Sequence, residues 1–148
     1  MSVPLAAVLA ALAGACIALQ ASANGKFREN LSSPAWAAYF SICGTILTAT
    51  LAMLVLRPSL PSREALTGTQ WWNWVGGPLG TLIVLAGATL VRDLGGAAFI
   101  AFVVGGQLLC SLLLDHFGLM GLVQREITLG RVVGAVLVVV GVVCVKWG

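Results

Sequence analysis

Gly95 to Leu122 reads GGAAFIAFVVGGQLLCSLLLDHFGLMGL. Twenty residues, Gly95 to Leu114, pass without a charge before Asp115 and His116 end the run, and only Gln107 and Ser111 place stronger polar groups within it. A helix needs about 20 apolar residues to cross a hydrocarbon core of roughly 30 Å. This stretch therefore sets the solvent: it is a membrane span carrying an amide at mid-depth and a carboxylate where the span meets water.

The rest of the chain repeats the pattern. Of its 148 residues 59% are hydrophobic and 9% charged, outside the range of soluble globular domains. Charge is absent from residues 1 to 25, 35 to 56, 65 to 91, 94 to 114 and 132 to 145. These runs give five expected helices, about 3–24, 36–56, 74–91, 95–114 and 130–147, in one transmembrane domain. The apolar runs do not alternate in polarity, which excludes lipid-facing strands. The fold class is all-α, a polytopic membrane protein.

The first run ends in Ala21-Ser22-Ala23, which resembles a cleavage site. It lacks a basic leader and is too long for a signal peptide, so it is read as a span. Ser33-Pro34 fits a helix cap followed by a first turn, and Trp71, Trp72 and Trp74 fit an interfacial belt before the third span. Arg92, Asp93 and Leu94 alone separate the third and fourth spans, which predicts a tight hairpin. Cys16, Cys43, Cys110 and Cys144 each fall in a different run without paired spacing, as small helix residues do. Gly76 and Gly80, Gly105 and Gly106, then Gly130, Gly134 and Gly141 recur at intervals that let helix backbones approach.

Five crossings divide the basic residues evenly. Arg57, Arg63, Arg125 and Arg131 fall on one side, and Lys26, Arg28, Arg92 and Lys146 on the other. Orientation follows the excess of Lys and Arg on the cytoplasmic side, so a tie gives no instruction. The expectation is insertion both ways and an antiparallel homodimer of ten helices related by a two-fold axis in the membrane plane. The fifth span carries this argument, since only 14 residues separate Arg131 from Lys146. Snorkelling of both side chains lengthens it; if it failed to cross, the count would become five against three.

Polar side chains cost several kcal/mol in hydrocarbon unless paired, so polar faces should turn toward a bundle interior or a wet cavity. Gln20 and Asn24 share one face of the first helix, one turn apart. Gln107, Ser111 and Asp115 repeat at four-residue intervals on the fourth. These amides read either as substrate-binding groups or as interhelical hydrogen-bond glue. Asp115 and His116, at a helix end, read as interfacial hydrogen-bonding groups or as proton-handling mouth residues. One histidine with no nucleophile beside it and no metal-ligand cluster argues against an enzyme, a metal or another cofactor, and no basic patch suggests a nucleic-acid partner.

Four stretches carry a resemblance: Gln20 to Asn24 (QASAN, with Leu31 downstream), Trp74 to Gly80 (WVGGPLG), Gly105 to Gly121 (GGQLLCSLLLDHFGLMG) and Arg131 to Gly141 (RVVGAVLVVVG). Together they resemble the YdcZ-like family of the drug/metabolite transporter (EamA-like) superfamily over nearly the whole chain. The resemblance implies a five-helix half transporter that works as a dual-topology homodimer, as a pair of oppositely oriented chains or as a fusion, with no established substrate. Small multidrug resistance proteins, also similar to half transporters, use a glutamate in the first membrane helix for proton exchange. No acidic residue precedes Glu29 here, and Gln20 cannot carry a proton.

The resulting expectation is a secondary transporter of small organic metabolites or drugs in a bacterial inner membrane, working by alternating access in an antiparallel dimer surrounded by lipid. Gln20, Asn24, Gln107 and Ser111 would bind substrate, with Asp115 and His116 at one mouth. The alternatives are a dual-topology passive channel for a small ion or solute and a non-transporting membrane partner subunit.

Overall fold

The computed structural model describes residues 2–148. All its regular elements among the described residues are helical, and five helices are long and apolar enough to cross a membrane. In chain order the α-helices are α1 (Val3–Leu31), α2 (Pro34–Leu56), the short α3 (Arg63–Thr67), α4 (Gly76–Leu94), α5 (Gly96–Phe117) and α6 (Leu129–Trp147). The chain divides into two compact units, Met1–Val91 and Arg92–Gly148.

In the first unit, α1 runs seven residues beyond its expected end at Asn24. Loss of apolar character did not end the helix, because the charges of its last turns find partners. Lys26 Nζ lies 2.7 Å from Glu29 Oε2, three residues along the same helix, and the Arg28 guanidinium donates to the carbonyl of Thr89 in α4. At 1.5 Å per residue α1 is about 44 Å long, more than the hydrocarbon thickness. It stops at Ser32, whose left-handed backbone (φ 51°) turns its N–H back to the Glu29 carbonyl.

The expected cap at Ser33 is present. Its hydroxyl accepts from the Trp36 N–H at 3.4 Å, Pro34 begins the helix, and α2 starts two residues earlier than its apolar run. Ala37 and Ala38 are buried just after this corner, as are Ala21, Asn24 and Gly25 just before it. Phe27 and Phe40 lie 6.0 Å apart between the two helices. After α2, Ser62 caps α3 by accepting from the Ala65 N–H at 3.1 Å. Trp71–Trp74 form a 3-10 turn that Gln70 and Asn73 close reciprocally, and α4 follows from Gly76. Trp71 and Trp74 are exposed beside the start of α4, and the Trp74 indole donates to the Thr69 hydroxyl at 3.1 Å.

The turn expected over Arg92, Asp93 and Leu94 contracts to Gly95. Those three residues are helical, ending α4 at Leu94 rather than 91, while Gly95 takes φ 85°, a conformation that glycine adopts without a Cβ clash. In the second unit α5 continues to Phe117, three residues past its expected end, and Gly118 (φ 59°) caps it. Helices α5 and α6 run antiparallel. Phe102 meets Trp147 edge-on at 6.3 Å, Gly105 faces Val142, and Asp115 meets Arg131. A Cβ built on Gly105 would stand 3.4 Å from Val142 Cγ2, at the near edge of ordinary contact, so the crossing has little room for a larger side chain there.

Helix α6 begins at Leu129, behind a Thr128 cap, and ends at Trp147. Its two flanking cations are both engaged: Arg131 with Asp115 at one end, and Lys146 Nζ with the Leu94 carbonyl at 3.3 Å at the other. Most other apolar side chains, Leu54, Leu82, Leu113 and Leu137 among them, remain exposed on the chain, as lipid-facing surfaces do.

Candidate functional sites in the two units

In the first unit an open groove of about 570 Å³ runs between α1, α2 and α4, with Gln20, Thr45 and Thr81 as its polar groups and Ile17, Ile42 and Ile46 among its apolar walls. Each threonine hydroxyl donates back along its own helix, Thr45 to the Ser41 carbonyl at 3.1 Å and Thr81 to the Gly77 carbonyl at 3.3 Å. The hydroxyl oxygens are thereby left as acceptors toward the groove, while Gln20 supplies an amide with both donor and acceptor capacity. Gly76, Gly77 and Gly80 widen the groove: a Cβ at any of them would meet nothing within 4 Å. Within the single chain Gly105 faces a neighbouring helix and these glycines do not, because spacing along one helix does not say which face a neighbour covers.

Asn24, one turn from Gln20, is 5% exposed, and its Nδ2 has no hydrogen-bond partner among the described residues. A buried amide donor left unpaired costs about 1–3 kcal/mol, so this position works against the folding of a lone chain.

In the second unit a cavity of about 420 Å³, also open on one side, lies between α5 and α6. Leu108, Leu112 and Val138 contribute its apolar walls, and Ser111, Asp115 and Arg131 its polar end. Arg131 Nη2 lies 2.9 Å from Asp115 Oδ2, and Arg131 Nη1 donates to the Arg125 carbonyl at 3.3 Å. Both charged side chains are 29% exposed. The Arg125 N–H donates to the Asp115 carbonyl at 2.8 Å, and Gln124 Nε2 to the His116 carbonyl at 2.9 Å. The connection between α5 and α6 is thus tied to the end of α5 through its backbone.

The stripe of Gln107, Ser111 and Asp115 does not enter this cavity as a whole. Ser111 and Asp115 line it; Gln107, one turn further along α5, is exposed on the chain and outside the lining. His116 is half-buried, with its ring against Phe117 and its Nδ1 without a partner among the described residues. Sequence reasoning passed over three groups. Thr45 and Thr81 sit in charge-free runs with nothing in their spacing to single them out, and Arg131 enters the sequence reading through charge count and snorkelling, with no partner named. The signal for Arg131 was topological: the end of α5 and the start of α6 share one side, which brings the acid that ends one helix within reach of the cation that opens the next. No group of three or more His, Cys, Asp or Glu side chains able to hold a metal occurs among the described residues.

Comparison with known proteins accounts for this architecture. The family model described as "Putative inner membrane exporter, YdcZ" matches residues 5–144, from the first helix to the last. The inner membrane protein YdcZ of Escherichia coli (strain K12) is 36% identical over 78 residues, which are 53% of this chain and 52% of that protein. The matched stretch therefore spans about half of that relative's length, and no solved structure matches the chain. With the family model covering all five spans, this multi-pass inner-membrane protein belongs to the DMT_YdcZ family.

Proposed function

We propose that the chain is a secondary transporter that exports small organic molecules across the inner membrane, its five helices acting as one transmembrane domain within an antiparallel dimer. The observation that carries this reading is the family match over residues 5–144, whose printed description is of an exporter. Two features of the chain support it. The groove and the cavity both combine apolar walls with a few polar groups, the make-up of sites that take small molecules. The exposed Gln107 and the open glycine surfaces of α4 and α6 are costly against lipid and favourable against a second chain.

In this reading Gln20, Asn24, Gln107 and Ser111 bind substrate, and Asp115 with His116 stands at a mouth. The unpaired Asn24 donor gains its partner in the assembled or loaded state. An equal number of cations on each side of the membrane supports the two-way insertion that such a dimer requires.

The test is exchange. Purified protein in liposomes loaded with an extract of small bacterial metabolites should release specific compounds faster than protein-free liposomes, read by mass spectrometry, and an excess of the same compound outside should accelerate its release. Release without that acceleration would mean a channel. No selective release would leave a membrane subunit without transport of its own. Gln107→Leu should abolish exchange while the protein still elutes as a folded dimer; full exchange in that variant removes Gln107 from the site.

A further inference from the structure

The polar end of the α5–α6 cavity has a chemistry that the transport reading leaves open. Its two charges cancel, and the pair that joins them is a single contact, Arg131 Nη2 to Asp115 Oδ2. Among the described residues no donor other than Arg131 reaches the Asp115 carboxylate, and the second guanidinium nitrogen holds a backbone carbonyl rather than Oδ1. A guanidinium and a carboxylate that face each other commonly form a two-pronged contact. Here the fork is split, and both members line the cavity with Ser111 one turn away.

We infer that this cavity binds a small zwitterion with an apolar tail, its carboxylate on Arg131, its ammonium on Asp115 and Ser111, and its tail along Leu108, Leu112 and Val138. The proposal rests on the transport reading and names its substrate class. Charge balance selects this class. A lone cation drawn to Asp115 would leave Arg131 without its carboxylate in a partly desolvated site, and a lone anion on Arg131 would leave Asp115 unpaired; each outcome strands a charge that the zwitterion keeps paired. A zwitterion exchanges one ion pair for two and adds no net charge. The cavity volume of about 420 Å³ falls in the lower part of the range for small-molecule sites, and its walls ask for a few carbons of tail.

The experiment uses the full chain, purified in detergent, and reads its unfolding temperature against six compounds in two sets. One set is L-leucine, the same skeleton without its carboxylate (3-methylbutylamine) and without its amine (4-methylpentanoate). The other is L-phenylalanine with its two matching stripped analogues. The expected result is a saturable rise of several degrees with at least one amino acid and none with its stripped partners. In the folded variants Asp115→Asn and Arg131→Gln that rise should need at least tenfold more ligand. Because the wild-type series needs no variant, a variant that fails to fold leaves the test intact.

No shift with either amino acid overturns the proposal, and so does an equal shift with an amine or an acid alone. An amino acid that binds but is not exchanged by liposomes supports the site and sinks the transport reading. Selective exchange of some other metabolite without any amino-acid shift sinks the site and leaves transport standing.

Discussion

The two units solve the same problem with different chemistry. The groove of the first unit is polar through one amide and two hydroxyls, with no ion, whereas the cavity of the second is polar through an ion pair placed where α5 ends and α6 begins. Depth explains the difference. A neutral group within an apolar helix needs only a hydrogen bond to offset its desolvation, and a threonine can supply that bond from its own preceding turn. A charge costs far more to desolvate and is tolerated near water or opposite a partner, and Asp115 with Arg131 has both. Glycines of the two units differ as well. Gly80 leaves a surface open, and Gly105 stands opposite Val142 where α5 and α6 cross.

That last contrast predicts the largest effect. Gly105→Leu forces a branched side chain into the crossing with Val142 and should destabilise the protein by about 2–3 kcal/mol, the upper part of the usual range for overpacking. Gly80→Leu projects into open space and should change stability by less than about 0.5 kcal/mol while reducing exchange through the groove. Thermal unfolding in one detergent compares them directly. Equal stability losses would show that Gly80 is also a packing residue in the assembled protein.

The polar groups give the next contrast. Arg131→Leu strands Asp115, and at the pair's intermediate exposure the expected loss is about 1–2 kcal/mol, between the values for exposed and buried pairs. The double variant Asp115→Leu with Arg131→Leu should recover most of that loss, since replacing a whole pair by apolar groups is far less costly than breaking it. Gln20→Leu has no charge to strand and should be close to neutral in stability. A double variant as unstable as the single one would mean that the Arg131 contact to the Arg125 carbonyl, not the ion pair, holds this end of α6.

Asn24→Leu should run in the opposite direction. Removing a buried donor without a partner relieves its desolvation cost, so the variant should gain about 1 kcal/mol. A loss of similar size would show that Nδ2 finds a partner once the protein is assembled.

How far the sequence revealed this follows from what each signal measures. Charge-free length located all five helices, and Ser33-Pro34 marked the start of α2, because burial in lipid and local capping act within a few residues. Hydropathy says where lipid contact ends, which is not where a helix ends. Lys26, Arg28 and Glu29 therefore extend α1 against the pattern, and Arg92 to Leu94 extend α4 until Gly95 breaks it. The Asp115–Arg131 pair joins residues 16 apart on two helices and depends on the rotation of each about its axis. Apolar runs such as Val132 to Val145 carry little information about that rotation, because they are apolar on every side. For the same reason the stripe of Gln107, Ser111 and Asp115 was legible as a stripe, while its division between an exposed amide and two cavity residues was not.

The smallest effect belongs to the loop helix α3, which is built by water-phase rules. Ser62 caps it, and Glu64 sits in its first turn, where its own backbone N–H and then the Ser62 hydroxyl hold its carboxyl below the ordinary glutamate value. A depressed folded value means that this contribution is fully present above the unfolded pKa and fades as the pH falls through the folded one. Ser62→Ala should therefore speed hydrogen exchange at Ala65 and Leu66, while the unfolding temperature of the whole protein stays fixed. Acidification below the ordinary glutamate range should loosen the wild-type helix in the same place. If either change moved the global transition as well, α3 would be coupled to the spans, and the separation between water-phase and lipid-phase stability would not hold at this loop.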